Sequence, residues 1–261
     1  MPIDRLLTLG ETKLHDWPDY RALGVDDADV EALVAAATAP TDARTPEAAL
    51  WAPVHAWRAL AQLGDPRAIA PLVSLMATLD DDWAGEELPR ALAMFGPRET
   101  PAPVDLHEDA GGDDCARGSA ATALGLVAAE HPDARDAIVG HLARALERYE
   151  TQSDALNAFL LVPLVDLRAV EVAPLVERAY AADAIDPLVF GDWEDVQVAF
   201  GMLPERRFPR APLWEDPRDR RSAAPPPPTG PSAAARAEAV RKRKARQKQA
   251  KASKRKNRRR R

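Results

Sequence analysis

The chain has 261 residues, 46% of them hydrophobic, and a formal net charge of −6 at pH 7. This length and hydrophobic content suffice for one large domain or two small ones. The sequence has no run of 18 apolar residues, and acids such as Asp4, Glu11 and Asp16 interrupt its first 25 residues. It therefore predicts neither a membrane span nor a signal peptide, and we expect a cytoplasmic protein.

The composition also limits the chemistry and the fold class. Cys115 is the only cysteine, which excludes an intrachain disulfide and a multi-cysteine zinc site. Aromatic residues make up 5% of the chain, Ala and Leu dominate, and few segments alternate like a strand. We therefore expect an all-α fold.

The net charge conceals a strong separation of charge. Residues 231–261 hold 15 of the 35 basic residues and one of the 41 acidic residues, Glu238, which gives this segment a charge of +14. The rest of the chain carries 20 basic and 40 acidic residues, a charge of −20. An acidic body with a basic end is typical of a protein with an interaction arm.

Residues 1–45 are predicted to form an N-terminal helical cap. "PIDRLLTLG" indicates a short helix and "WPDYRALGV" a turn. In "DDADVEALVAAAT", Asp26 or Asp27 is suited to accept hydrogen bonds from the first free N–H groups of a second helix. Pro40 ends that helix and opens a loop.

From residue 50 the pattern becomes an αα-hairpin. "LWAPVHAWRALAQLG" predicts a helix that ends at Gly64, where a left-handed residue is favourable. Asp65 then suits an N-cap and Pro66 the first helical position of "DPRAIAPLVSLMATL". A helix, a tight turn and a second helix form one repeating unit.

Similar hairpins recur along the chain. "RALAMFG" follows "RALAQLG", His131-Pro132-Asp133 divides another helix pair, and "EVAPLV" at 171–176 repeats "AIAPLV" at 68–73. These last two segments lie 103 residues apart. This separation equals three units of roughly 34 residues, as in helical repeats.

The stretch "HAWRALAQLGDPRAIAPLVSLM" resembles the HEAT-like repeat of phycobilin-lyase-type and other bacterial proteins, in which a helix ends in "LG" and "D-P-R" forms the turn. The resemblance is good over 50–79, fair over 113–182 and poor over 97–112. There "PRETPAPVDLHEDAGGDD" has three prolines and two glycines in place of a second helix, so we expect a degenerate or interrupted unit.

The resemblance implies a short α-solenoid of four to five HEAT-like helical hairpins over residues 46–203, with "FGDWEDVQVAFGM" as a last helix or cap. The four consecutive prolines at 225–228 predict a Pro-rich linker over 204–232. Residues 233–261 are predicted to form a basic disordered tail.

Trp51, His55 and Trp57 are the first candidate site. Trp57 belongs to the buried stripe of its helix, and Trp51 and His55 lie one turn apart at the edge of the same helix. A histidine there could act as a general base, but the sequence places no second catalytic group near it. We therefore interpret the three residues as packing rather than as catalytic residues.

The acid-rich segment "DLHEDAGGDDC" at 105–115 is the second candidate, because its carboxylates and His107 would suit a divalent cation. Its spacing fits no known metal motif, so we expect a solvated loop, with Cys115 as a small core residue. Acid pairs such as Glu86-Glu87 are expected to lie at helix N-termini, where the helix dipole favours negative charge. We expect no catalytic residue, metal or cofactor.

The basic tail is the strongest functional signal. It has no large apolar residue after Val240, so we expect it to bind a polyanion (RNA, DNA or the ribosome) by counterion release, with weak sequence specificity. The predicted nucleic-acid-binding residues are Arg241, Lys242, Arg243, Lys244, Arg246, Lys248, Lys254, Arg255, Lys256, Arg258, Arg259, Arg260 and Arg261.

We therefore expect a monomeric, non-enzymatic scaffold or adaptor that binds a protein partner through its acidic α-solenoid and a polyanion through its tail. Two alternatives stay open. The resemblance implies a phycobilin-lyase-like enzyme or chaperone, for which His107 and Cys115 are the one nearby pair. The charge separation also suits a self-inhibited scaffold whose tail occupies the acidic groove.

Overall fold

A computed structural model describes residues 2–14, 16–41, 45–79, 82–109 and 111–209. Within these ranges the chain is α-helical and forms no strand. The helices are α1 Pro2–Leu9, α2 Val30–Ala37, α3 Glu47–Leu50, α4 Ala52–Leu63, α5 Ile69–Thr78, α6 Asp82–Ala93, α7 Pro101–Glu108, α8 Asp114–Glu130, α9 Arg135–Leu146, α10 Asp154–Asp166, α11 Ala173–Ala181 and α12 Trp193–Ala199. None of the described helices is both long and apolar enough to cross a membrane.

Four consecutive helix pairs share one local design: α4/α5, α6/α7, α8/α9 and α10/α11. In each pair a single turn of 3₁₀ helix precedes the second helix, at Pro66–Ala68, Pro97–Glu99, Pro132–Ala134 and Val170–Val172. In the first pair Gly64 is left-handed with φ 69°, and the Asp65 carboxylate accepts from the Arg67 N–H. The predicted Gly-Asp-Pro turn is therefore confirmed.

The expectation of a degenerate or interrupted unit at 97–112 is wrong for the helix itself, because α7 forms there. Pro101 and Pro103 lie in its first turn, where backbone N–H groups have no partner within the helix, so the missing donors cost little. Gly111 and Gly112 follow α7 and form the turn in which the Gly112 N–H donates to the Asp109 carbonyl at 3.0 Å.

The first helices of the pairs pack against one another in chain order, α4 against α6, α6 against α8 and α8 against α10, and α2 packs against α4. The buried core falls in two parts, one built from residues between Leu6 and Ala123 and one from residues between Ala93 and Phe200. Both parts include α6 and α8, so these two helices join the N-terminal and C-terminal halves.

The contact between α8 and α10 depends on two glycines of α8. A Cβ at Gly118 would lie 2.7 Å from the Phe159 ring, and a Cβ at Gly125 would lie 2.5 Å from the Pro163 Cβ. The two helices therefore approach more closely than any larger residue would allow.

We predict that Gly118→Ala or Gly125→Ala lowers the free energy of unfolding by about 1–3 kcal/mol, because the added methyl group must push α10 away from α8. The measurement is urea unfolding followed by circular dichroism. Gly140→Ala is the matched control: its Cβ would meet only the flexible end of Arg144 at 3.5 Å. There, higher helix propensity should raise stability by up to about 1 kcal/mol. Equal effects at the three positions would contradict the close-packing interpretation.

Candidate functional site

A non-helical N-terminal segment packs against one side of α4. We call residues 10–20 the strap; its residue 15 is outside the described part of the chain. His55 Nε2 lies 3.0 Å from the Gly10 carbonyl oxygen, and the Tyr20 hydroxyl lies 2.7 Å from His55 Nδ1. Burial lowers the pKa of His55, which favours a neutral ring that donates from Nε2 and accepts at Nδ1. His55 therefore holds both ends of the strap.

Two more side chains of α4 bind the middle of the strap. Arg58 donates to Thr12 Oγ1 at 2.6 Å, to the Lys13 carbonyl at 2.9 Å and to the Asp16 carbonyl at 3.3 Å. Gln62 donates to the Pro18 carbonyl at 2.8 Å. Positions 55, 58 and 62 share one helical face. The strap thus follows the axis of α4 and is held largely through its own backbone.

Arg58 also forms a buried ion pair with Glu87 of α6, and neither side chain is exposed to solvent. Arg58 Nε donates to Glu87 Oε2 at 2.6 Å, and Nη2 donates to Oε1. The indole N–H groups of Trp17 and Trp57 each reach a Glu87 oxygen at 3.4 Å, and the guanidinium lies 5.7 Å from the ring centre of Trp83. Both buried charges are therefore extensively hydrogen-bonded.

These contacts test the interpretation of the first candidate site, the cluster of Trp51, His55 and Trp57. Trp57 is 1% exposed and His55 is buried, so the interpretation of this cluster as packing agrees with the structure. Glu86 and Glu87 lie in the second turn of α6 rather than at its N-terminus. Glu86 is exposed, whereas Glu87 is buried and faces α4 across the helix contact. Sequence reasoning missed Arg58 and Gln62, since a polar residue on a helix is usually solvated and no local signal distinguishes these two.

We predict that Glu87→Gln lowers the free energy of unfolding by about 3–5 kcal/mol, because the Arg58 charge would stay buried without its counterion. The measurement is denaturant unfolding followed by tryptophan fluorescence.

The matched control is Glu171→Gln, which breaks the ion pair with Arg135 at 2.8 Å, where the Glu171 side chain is 51% exposed. That pair should contribute at most about 1 kcal/mol. Replacing both buried charges, Arg58→Met with Glu87→Leu, should recover the part of the lost stability that comes from the unpaired charge, but not the part that Arg58 adds by donating to Thr12, Lys13 and Asp16. A Glu87→Gln effect no larger than that of the control would contradict the assigned role.

The acid-rich segment 105–115 comprises the end of α7, a loop and the start of α8. The Asp113 carboxylate accepts from the N–H groups of Cys115 and Ala116 and caps α8. Cys115 is therefore exposed in the first turn of α8, and the expectation that it is a core residue is wrong. Among the residues that the structure describes, no group of three His, Cys, Asp or Glu side chains is placed to hold a metal ion.

His107, in the same segment, is fully buried between α7, α8 and α9. Its Nδ1 lies 3.3 Å from the Arg117 carbonyl oxygen, its Nε2 has no hydrogen-bond partner, and its ring meets His141 edge to face at 5.8 Å. Burial lowers the pKa of His107 to about 4, and the nearby charges of Arg117 and Arg148 add to the effect. The ring is therefore neutral at pH 7.

We predict that His107 makes the protein less stable in acid. Its folded pKa lies below its ordinary value, so the unfolded chain binds the proton more tightly. Stability is lost as the pH falls from about 6.5 towards 4, by up to about 3 kcal/mol. The measurement compares unfolding free energies of the wild type and His107→Leu at pH 7 and pH 4.5. The variant should lose less stability on acidification, and an equal loss would contradict the prediction.

The predicted nucleic-acid-binding residues, Arg241 to Arg261, lie outside the described residues. The binding prediction for the tail therefore depends on its sequence alone.

The side of α4 that carries the strap continues on the next helices. Arg58-Ala59-Leu60, Arg90-Ala91-Leu92 and Thr122-Ala123-Leu124 follow one another at intervals of 32 residues, and each leucine is buried. The residues equivalent to His55, Arg58 and Gln62 are then Ser119, Thr122 and Leu126 on α8, and by the same alignment of buried leucines Phe159, Val162 and Asp166 on α10.

We call this side of α8 and α10 the outer face; it comprises Cys115, Ser119, Thr122, Leu126 and Ala129 on α8, and Ala155, Phe159, Val162 and Asp166 on α10. These residues are half-buried or exposed, while the others between Cys115 and Ala129 are buried. Leu126 and Val162 line a small cavity of about 70 Å³ between the two helices. Cys115 and Ser119 line another of about 350 Å³ beside the end of α5 and the start of α6.

The comparisons with known proteins add no functional assignment: no family model, curated protein or solved structure matches the chain.

Proposed function

We propose that this protein is a non-enzymatic scaffold. In this proposal the hairpins form a short HEAT-like α-solenoid that binds a protein partner, and the basic tail binds a polyanion such as RNA. The observation that carries the proposal is the separation of charge between residues 1–230, at −20, and residues 231–261, at +14.

The repeated local design supports the solenoid. Four hairpins each have a 3₁₀ turn before their second helix, and their first helices pack in chain order. Equivalent residues of neighbouring hairpins also touch: Trp51 and Trp83 lie 32 positions apart, and their rings meet edge to face at 4.9 Å. Stacked, register-matched hairpins are typical of helical repeat proteins, which bind partners along their extended surfaces.

The distribution of lysine supports the binding role of the tail. Of the seven lysines in the chain, Lys13 is the one that precedes residue 241, and the basic residues in between are all arginines. The tail therefore does not follow the composition of the body. A dense run of Lys and Arg with no aromatic residue fits phosphate contacts without base stacking.

We predict that deletion of residues 231–261 abolishes RNA binding and leaves the melting temperature nearly unchanged, because the described core lies within residues 2–209. The measurements are electrophoretic mobility shift with a 30-nucleotide poly-uridine RNA at about 50 mM salt, and thermal unfolding. For the full chain, affinity should fall by about 300-fold or more between 50 and 200 mM salt if six or more phosphates are contacted, because the salt slope for a single strand is about −0.7 per phosphate.

A chain with the same tail residues in permuted order is the matched control. It should bind RNA as well as the natural chain, since net charge rather than order supplies the affinity. Unchanged RNA retention by the deleted chain would contradict the proposed role of the tail.

A further inference from the structure

We infer that the outer face of α8 and α10 is the docking surface for a protein partner, and that it takes a peptide segment with an uncharged, apolar centre and basic flanks. The inference rests on the proposed scaffold function and specifies the partner that the hairpins hold.

The outer face carries little exposed charge, since Asp166 at its C-terminal end is the one charged residue among those that compose it. Between Asp114 and Glu130, the one charged residue of α8 is Arg117, which is buried. Between Asp154 and Asp166, α10 has no charged residue. Because 29% of the chain is charged, this uncharged stretch on two adjacent helices stands out as a place where water can be displaced at low cost.

The strap shows that the equivalent side of α4 binds a chain segment. On α4, His55 contacts Gly10, Arg58 contacts Thr12 and Lys13, and Gln62 contacts Pro18. The strap turns between Lys13 and Asp16 and is held mostly through its backbone. Ser119, Thr122 and Leu126 occupy the same positions on α8. A peptide segment bound there would be held by apolar contact and by a few hydroxyl groups.

The outer face contains two cavities that could receive side chains of a bound peptide. The cavity beside Cys115 and Ser119, about 350 Å³, is large enough for a bulky apolar side chain, and the smaller cavity near Leu126 and Val162 lies farther along α8. From Cys115 to Ala129 the helix rises about 21 Å. About six residues of extended chain span that length.

Both ends of the outer face carry acidic residues. Asp113, Asp114 and Asp154 lie at the N-terminal ends of α8 and α10, and Glu130 and Asp166 lie at the C-terminal ends. Either direction of a bound peptide would therefore bring both of its flanks near carboxylates. Basic flanks would be attracted and acidic flanks repelled.

The test uses the full-length chain and a fluorescein-labelled ten-residue peptide with six Leu, Val, Ala and Ser residues between two arginines on each side. Its binding is measured by fluorescence anisotropy. We expect saturable binding, a loss of at least about tenfold in Thr122→Arg, and a similar loss when the six central residues are flanked by glutamates. Alkylation of Cys115, the one thiol of the chain, with a bulky maleimide should also weaken binding.

Ala137→Arg is the matched control, since it adds the same charge at an exposed position of α9 and should leave binding unchanged. Ser119→Arg serves as a second variant if Thr122→Arg does not fold. Equal binding to Thr122→Arg and wild type, or no binding of the basic-flanked peptide up to about 1 mM, would overturn the inference.

The same variants separate the two proposals. Thr122→Arg should retain RNA at low salt, and the permuted-tail chain should retain the peptide. Failure of the tail proposal would therefore appear in the RNA measurement without any change in peptide binding.

Discussion

The buried ion pair between Arg58 and Glu87 connects α4, α6 and the strap. Two charges removed from water are tolerated only when hydrogen bonds satisfy the remaining polar atoms, and here those partners come from the strap as well as from α4 and α6. Removal of the strap would therefore take away hydrogen-bond partners of the buried pair and leave some of its polar atoms unsatisfied. Tyr20, fully buried at the end of the strap, adds an apolar contribution to the same arrangement. Residues far apart in sequence thus become one cooperative unit.

A second set of charges joins the segment after α12 to the start of that helix. Arg206 pairs with Asp192 at 2.8 Å and also with Asp195, both at the start of α12, and the backbone N–H groups of Arg207 and Phe208 donate to the Glu194 carboxylate. Repeat proteins need terminal elements that differ from their internal repeats. In the solenoid proposed above, α1, α2 and the strap would be one such element and α12 the other.

The sequence predicted well what local chemistry decides and poorly what depends on distant contacts. Gly64, Asp65 and Pro66 specify their turn through their own backbone preferences, and the structure confirms it. Arg58 and Arg90 share the same local sequence, Arg-Ala-Leu-Ala, yet the first is buried beneath the strap and the second is exposed. No local pattern separates them, because the difference is made by a segment more than forty residues away. The burial of Glu87 was not predicted for the same reason, because it also depends on contacts with distant residues.

The acidic body and the two proposed contacts fit one physical scheme. A charge of −20 over residues 1–230 repels phosphate groups, so a nucleic acid held by the tail gains nothing from approaching the hairpins. In the proposed docking face, the apolar centre of the peptide depends on buried area, which salt affects little, and its basic flanks depend on charge. Peptide binding should therefore weaken with salt less steeply than tail binding, which depends on counterion release alone. The two proposed contacts use different surfaces, so under these proposals a polyanion could be released by salt while a protein partner stays bound.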